Sequence, residues 1–418
     1  MFSLLNKIFK TSFTIFLINI SFGQENIVKN LSFKVDSLIN SSINEKAFPG
    51  GQVYVKIGDK IVINKSFGYH TYDSIVKVEN DHVYDLASLT KVLASTLSIM
   101  KISEDYNLDL NEPISNYITD LKKSNKINTT FVDALSHTGG WIPYINHHYL
   151  LKRKNGKLKR SVLRNKKSKR FNIKVSEGLF LKESYHKKIF KSIRKSDLKN
   201  PGDYLYSGLF FFYVPIIVEK ITSNNFEDYL NTNFYKKIKN NSIGFYPKDK
   251  SKVAPTEFDS FFRNSLIQGS VHDEASSLFN GKSGNAGLFG SAEGIGQLIE
   301  LFETWNFHNS TPILKKNTIN QFTSYATIDL GIRRGLGFDK PKRGIEESYP
   351  NKKLSKQSFG HTGFTGTFFW IDPKVKLSLV FLTNRVYPTR KNEKLYEKNI
   401  RSKLLDILFE DLKITKND

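Results

Sequence analysis

Hairpins near both ends of the chain, with a mostly helical stretch between them, predict an α+β fold. The runs Gly51–Ile57 and Ile61–Tyr69 are parted by Gly58-Asp59-Lys60. Near the other end, Thr365–Ile371 and Leu377–Thr383 are parted by Asp372-Pro373-Lys374. Apolar runs of this length around turn residues read as antiparallel hairpins. The stretch between reads as mostly helical, although no helical periodicity survives through Lys152–Lys169. With 418 residues, 39% of them hydrophobic and 13% aromatic, the chain can bury a large core as one elaborate domain or two lobes.

Composition excludes several kinds of chemistry. The chain has no cysteine, which removes disulfides, thiolate metal sites and a thiol nucleophile. Its net charge of +23 suits anionic surfaces without naming one. At the N-terminus Lys7 and Lys10 precede the apolar run Phe13–Ile20, and Ser21-Phe22-Gly23 follows. That order is an export signal over residues 1–23, with the mature chain starting near Gln24. The run falls short of the roughly 20 residues a membrane span needs, so no stable span is expected; an uncleaved anchor is the other reading. Residues 24–418 then form one domain in the periplasm or beyond.

Ile27, Leu31, Val35, Leu38 and Ile39 mark an amphipathic helix ahead of the first hairpin. After that hairpin, Leu89, Val92, Leu93, Leu97 and Met100 form the apolar stripe of a helix opening on Ser88. Lys91 lies three residues on and shares a helix face with Ser88. A serine is a weak nucleophile until a base takes its proton, and a lysine deprotonated by burial can do so. An isolated Ser-x-x-Lys more often means a capping serine and a surface lysine, so the rest of the chain decides.

Leu135-Ser136-His137-Thr138-Gly139-Gly140 closes a helix, with the paired glycines as its expected stop and His137 structural. Residues 151–200 carry 19 lysines or arginines against Glu177, Glu183 and Asp197, a net of +16. Such a charge block reads as a solvated, mobile insertion into the helical lobe, and alternatively as a clamp for an anionic envelope polymer. Scattered aromatics and an exported chain argue against nucleic acid. Tyr206, in Pro201-Gly202-Asp203-Tyr204-Leu205-Tyr206-Ser207-Gly208, is a loop residue ahead of an apolar helix. The glycine-rich loop Gly281–Ser291 has no Lys-Ser/Thr ending, so it is no phosphate cradle. His361-Thr362-Gly363 enters a strand, where Gly360, Gly363 and Gly366 let another chain or a substrate come close. A final helix spans about 392–409.

Taken together, Ser88-Leu89-Thr90-Lys91, Tyr206-Ser207-Gly208 and His361-Thr362-Gly363 resemble the three ordered motifs of the penicillin-recognising serine hydrolases. That superfamily includes class C β-lactamases, D,D-peptidases, D-aminopeptidases and related esterases. Leu135 to Gly140 and Asn285-Ala286-Gly287-Leu288-Phe289 are similar to its supporting segments. Ala254-Pro255-Thr256-Glu257, Val271-His272-Asp273-Glu274 and Phe359–Gly366 resemble the β-lactamase-related domains of Bacteroidetes-type bacteria, sometimes fused to β-N-acetylglucosaminidases. The resemblance covers about residues 30–410, apart from 151–200. It implies an antiparallel sheet flanked by helices on both faces, plus a helical lobe over about 100–250, with the site between. It also implies roles: Ser88 as the acylated nucleophile, and Lys91 and Tyr206 sharing the proton work, the ammonium lowering the tyrosine pKa. The N–H groups of Ser88 and Phe364 would form the oxyanion hole, and His361, Thr362 and Gly363 would line the substrate cleft. No cofactor is implied.

Two departures bear on substrate. Gly208 stands where lactamases and D,D-peptidases present an asparagine amide, and His361 stands where they hold a carboxylate with lysine. Both weaken recognition of penicillin-like or C-terminal D-alanine substrates, and the histidine variant, which resembles D-aminopeptidase-like and esterase-like members, implies an ester or D-amino-acid amide, of small-molecule or peptidoglycan origin. A β-lactamase or D,D-carboxypeptidase proper is the first rival reading. A catalytically weak wall-binding protein is the second. A metal site from His147, His148, His272 and Asp273 is rejected, because adjacent histidines do not share a helix face.

Overall fold

The computed structural model describes residues 28–304, 312–327, 331–342 and 349–411. The expected export signal therefore lies outside the described residues. Strands β1 (Gly50–Ile57) and β2 (Lys60–Gly68) form the first hairpin, as the sequence predicts. Strands β3 (Phe359–Thr362), β4 (Phe368–Asp372) and β5 (Leu377–Thr383) come from the far end of the chain. All five pair antiparallel in the order β3-β4-β5-β1-β2, so the two hairpins meet where β5 pairs with β1. The segment from 359 to 362 is thus a strand of its own at the sheet edge.

Period-two alternation feeds two separate cores. Val53, Val55, Phe368, Trp370, Leu379 and Phe381 face one side. There they pack on Leu31, Val35 and Ile39 of helix α1 (residues 28–44) and on Leu404, Leu405 and Leu408 of the C-terminal helix Ile400–Asp411. Tyr54, Phe369, Ile371, Val380 and Leu382 face the other side and join the core of the helical lobe. On that side helix Ala292–Ile299 comes close because Gly296 lies against the Tyr54 ring, where a Cβ would sit 2.4 Å from a ring carbon. Register places His361 opposite Phe369, Phe369 opposite Val380, and Val380 opposite Tyr54. His361 therefore belongs to the face that looks onto the lobe.

Residues 151–200 are not the mobile insertion that their charge suggests. They fold as a three-stranded antiparallel sheet of Leu163–Arg164, Leu179–Leu181 and Ile173–Ser176, followed by the helix His186–Lys195. Leu163, Val175, Leu179, Leu181, Tyr185, Ile189 and Ile193 are buried in the lobe core, while the lysines between them face solvent. Tyr185, Ile189 and Ile193 recur at i, i+4 and i+8, a helical stripe hidden among cations.

The final helix is also broken: Lys394–Glu397 and Ile400–Asp411 are separate, with Asn399 in the left-handed region at φ 51°. No helix among the described residues is long and apolar enough to cross a membrane.

Candidate functional site

Ser88 is held by a short, heavily braced turn. The strand Tyr84–Asp85 pairs with Leu288–Gly290 and delivers the chain to Ala87, whose φ of 46° is unusual for a residue with a side chain. Such a conformation costs about 1–3 kcal/mol and persists only where neighbours enforce it. Here Asp85 Oδ1 accepts from the Ala87 N–H at 2.8 Å, and Asp85 Oδ2 accepts from the His272 N–H at 2.6 Å. The carbonyls of Asp85 and Leu86 accept from the Thr365 and Thr367 hydroxyls at 2.7 and 3.1 Å. The Ser88 turn is thereby tied to the loop that follows His361.

The helix begins just after Ser88, as expected, but its Lys91–Thr96 turn is π-helical and wholly buried before Leu97–Asp105 continues as α. Lys91 Nζ donates to Ser88 Oγ at 3.0 Å and to the Asn285 carbonyl at 3.0 Å. Burial pushes its pKa down to about 7, with Arg334 acting in the same direction and Asp273 opposing. The Tyr206 phenol is the other group beside Ser88. Burial lifts the phenol to about 12, although Ser88 and Arg334 pull it down. This reverses the expected sharing: the lysine is the group brought near neutrality, and the tyrosine stays protonated.

Tyr206 is aimed by the helix stop at His137. That stop is His137 itself, at φ 60°, rather than the glycines after it. Its carbonyl accepts from the Leu205 N–H at 2.9 Å, its Nδ1 accepts from the Ser207 N–H at 3.2 Å, and its ring lies 4.4 Å from the Tyr206 ring. The histidine is structural, as expected, but what it supports is the site. With Nδ1 accepting and burial holding the ring neutral, its proton sits on Nε2.

His361 lies on the other side, its ring 6.2 Å from that of Tyr206. Its Nδ1 faces the Thr362 carbonyl at 2.8 Å and so carries the proton, leaving Nε2 as a buried acceptor without a partner among the described residues. Burial lowers its pKa to about 4, with Arg334 and Lys91 adding to the shift and Asp339 opposing it. Arg334 is buried, lies 5.7 Å from the Tyr206 ring, and is ion-paired with Asp339.

Phe364 is half exposed, and its carbonyl accepts from Arg385 Nε at 3.0 Å. Neither the Ser88 N–H nor the Phe364 N–H has a hydrogen-bond partner among the described residues. Gly363 permits the close fit behind them, since a Cβ there would sit 2.0 Å from Thr367 Oγ1. Ser88, Lys91, Tyr206 and His361 therefore gather in one place, with the loop that carries Phe364 held against the Ser88 turn through Thr365 and Thr367. Sequence alone does not single out the support that Asp273, Arg334, Asp339 and Asn285 give, because all four lie far from Ser88 in the chain. His272, raised as a ligand on paper, bonds Glu257 at 2.6 Å, and no group of three ligating side chains gathers among the described residues.

The β-lactamase family model matches residues 35–401. A provisionally named D-alanyl-D-alanine carboxypeptidase of Salmonella agona (strain SL483) is 28% identical, covering 87% of this chain and 84% of its own length. Among solved structures, EstCE1, described as a hydrolase with promiscuous acyltransferase activity, aligns with a TM-score of 0.66 at 16% identity, covering 90% of this chain and 99% of that one. A class C β-lactamase aligns with a TM-score of 0.66 at 14% identity, covering 92% and 98%. These structural likenesses bear on fold, and they agree with the α+β architecture expected from the motifs.

Proposed function

The chain belongs to the β-lactamase family of serine hydrolases, and from that premise we propose an exported acyl hydrolase that works through an acyl-enzyme on Ser88. Its substrate is an ester or a D-amino-acid-type amide, of small-molecule or cell-wall origin. The observation carrying this reading is the hydrogen bond on Ser88 Oγ from a buried lysine amine at 3.0 Å with a pKa near 7, beside the protonated phenol of Tyr206.

Lys91, as free amine, takes the Ser88 proton while Oγ attacks the carbonyl carbon. The oxyanion that forms accepts from the N–H groups of Ser88 and Phe364, each donor worth about 3 kcal/mol in such sites. Tyr206 gives its proton to the leaving group and regains one from the Lys91 ammonium. Water then attacks the ester on Ser88, its proton passing to the same groups, and releases the acid.

A D,D-carboxypeptidase is the second reading, favoured by the names of the curated relatives. Against it stand His361, held neutral by burial, and the engagement of Arg334 with Asp339. We extend the proposal to the basic face of residues 151–200 as a contact for an anionic envelope polymer. Turnover of p-nitrophenyl esters, D-amino-acid amides and a chromogenic cephalosporin separates the readings. Hydrolysis of the first two is expected; preference for the cephalosporin would overturn the assignment. Failure of a fluorophosphonate probe to label Ser88 would leave the wall-binding reading.

A further inference from the structure

The loop that carries Tyr206 ends in a glycine that its backbone does not require. Gly208 lies outside the left-handed region, and the three nearest atoms to a Cβ built there all belong to one side chain, Asn285. Its Oδ1 would be 2.3 Å from that Cβ, its Cγ 3.2 Å and its Nδ2 3.6 Å. The absence of a side chain at 208 is therefore what makes room for the Asn285 carboxamide.

That carboxamide has a fixed orientation. Its Nδ2 donates to Asp273 Oδ2 at 3.0 Å, and a carboxylate can only accept, so the amide cannot be turned over. Its main-chain carbonyl is held by Lys91 Nζ. What remains is Oδ1, buried and without a donor among the described residues. Among the described residues, His361 Nε2 is likewise an orphaned acceptor. A buried acceptor left unpaired is costly, so a site of this kind discriminates strongly for a ligand that brings the missing donor.

We propose that Asn285 Oδ1 accepts a hydrogen bond from the acyl part of the substrate, selecting acyl groups that carry an N–H on the carbon next to the scissile carbonyl. The proposal rests on the Ser88 acyl-enzyme reading and assigns Asn285 as its specificity-determining residue.

The test compares p-nitrophenyl esters of N-acetylglycine and of 4-oxopentanoic acid, whose acyl groups differ only in N–H against CH2. Each kcat/KM is divided by the rate of the same ester with hydroxide, which removes intrinsic reactivity. The unmutated enzyme is expected to prefer the N–H ester about tenfold or more. Asn285→Ala is expected to bring the two within about twofold, and Gly208→Ala likewise, because the new methyl displaces the carboxamide. In Gly208→Ala/Asn285→Gly the collision is gone, so turnover of the 4-oxopentanoate ester should recover relative to Gly208→Ala while the preference stays lost. A merely structural Asn285 would lower both esters equally. An unmutated enzyme without preference, or an Asn285→Ala enzyme that keeps it, overturns the proposal; if Asn285→Ala does not fold, the Gly208→Ala series decides by the same ratio. Should Ser88→Ala still turn over both esters, the acyl-enzyme reading itself fails and takes this proposal with it.

Discussion

Lysine and arginine mean opposite things in the Ser88 cleft and in residues 151–200. In the cleft each cation is buried and its charge is cancelled, Lys91 by loss of its proton near pH 7 and Arg334 by pairing with Asp339. Across 151–200 most of the 19 cations face water while the apolar residues between them build the lobe core. Burial, rather than residue type, decides whether such a side chain is chemistry or solvation.

The largest effect should come from the cleft. Ser88→Ala is expected to lower kcat by about a thousandfold or more and to abolish fluorophosphonate labelling without moving the thermal midpoint much; Lys91→Ala should cost nearly as much, because groups acting as a unit are not additive. A Ser88→Ala protein that still labels breaks the cleft side of the comparison. On the other side, Leu181→Ala and Ile193→Ala should each destabilise by about 2–5 kcal/mol in urea unfolding, the usual cost of truncating a buried aliphatic side chain. The charge pattern alone implies that 152–195 can be deleted with small-ester turnover kept within a few-fold. The buried positions imply instead that deletion exposes the lobe core and yields no folded enzyme, and an active deletion would restore the insertion reading.

What could be read from the sequence follows from how local each signal is. Ser88 and Lys91 sit one turn apart, so a helix pattern alone brings them together. Both hairpins announce themselves by turn residues. His361, Tyr206 and Ser88 could be joined only through resemblance, since nothing local links positions so distant. The fold of 151–200 stayed hidden because Leu163, Leu179, Leu181, Ile189 and Ile193 are outnumbered by lysines, and composition averages away a stripe. Asn285 was visible only as part of a glycine-rich segment; its meaning depends on Gly208, 77 positions away in the chain.

A smaller effect concerns pH. Because Lys91 must be a free amine to accept the serine proton, kcat/KM for a neutral ester should fall about tenfold per pH unit below about 7 and level off above it. Tyr206, near 12, adds no limb in the accessible range. Asp273 raises the Lys91 pKa, so Asp273→Asn should move the limb to lower pH. A limb that stays put would mean another group titrates. In the basic region, replacing Lys166, Lys167 and Lys169 with glutamine should leave stability within about 0.5 kcal/mol, as exposed substitutions do. Retention on lipopolysaccharide should weaken with those replacements and with salt, since exposed charges are screened over about 8–10 Å.

The smallest expected change is the most discriminating. An unperturbed histidine loses its charge near pH 6.5. If His361 behaved so, a carboxylate-bearing substrate would gain on its neutral ester analogue as the pH fell from 8 to 5.5. That is the behaviour expected from the sequence alone, with a flatter, higher ratio in His361→Lys. Burial instead holds His361 near pH 4, so the imidazole is neutral throughout that interval and offers a carboxylate no cation. Dividing the two kcat/KM values cancels the proton steps that Lys91 and Tyr206 contribute to both. The ratio should therefore stay low and change less than about twofold between pH 8 and 5.5. A rise through the ordinary histidine range would show that substrate admits water to His361 and restores its charge. A ratio already high and flat would show that Arg334 leaves Asp339 to hold the carboxylate, or that Arg333 or Arg385 does so. In that case the cleft would handle cations as the basic segment does, and the carboxypeptidase reading would displace the esterase one.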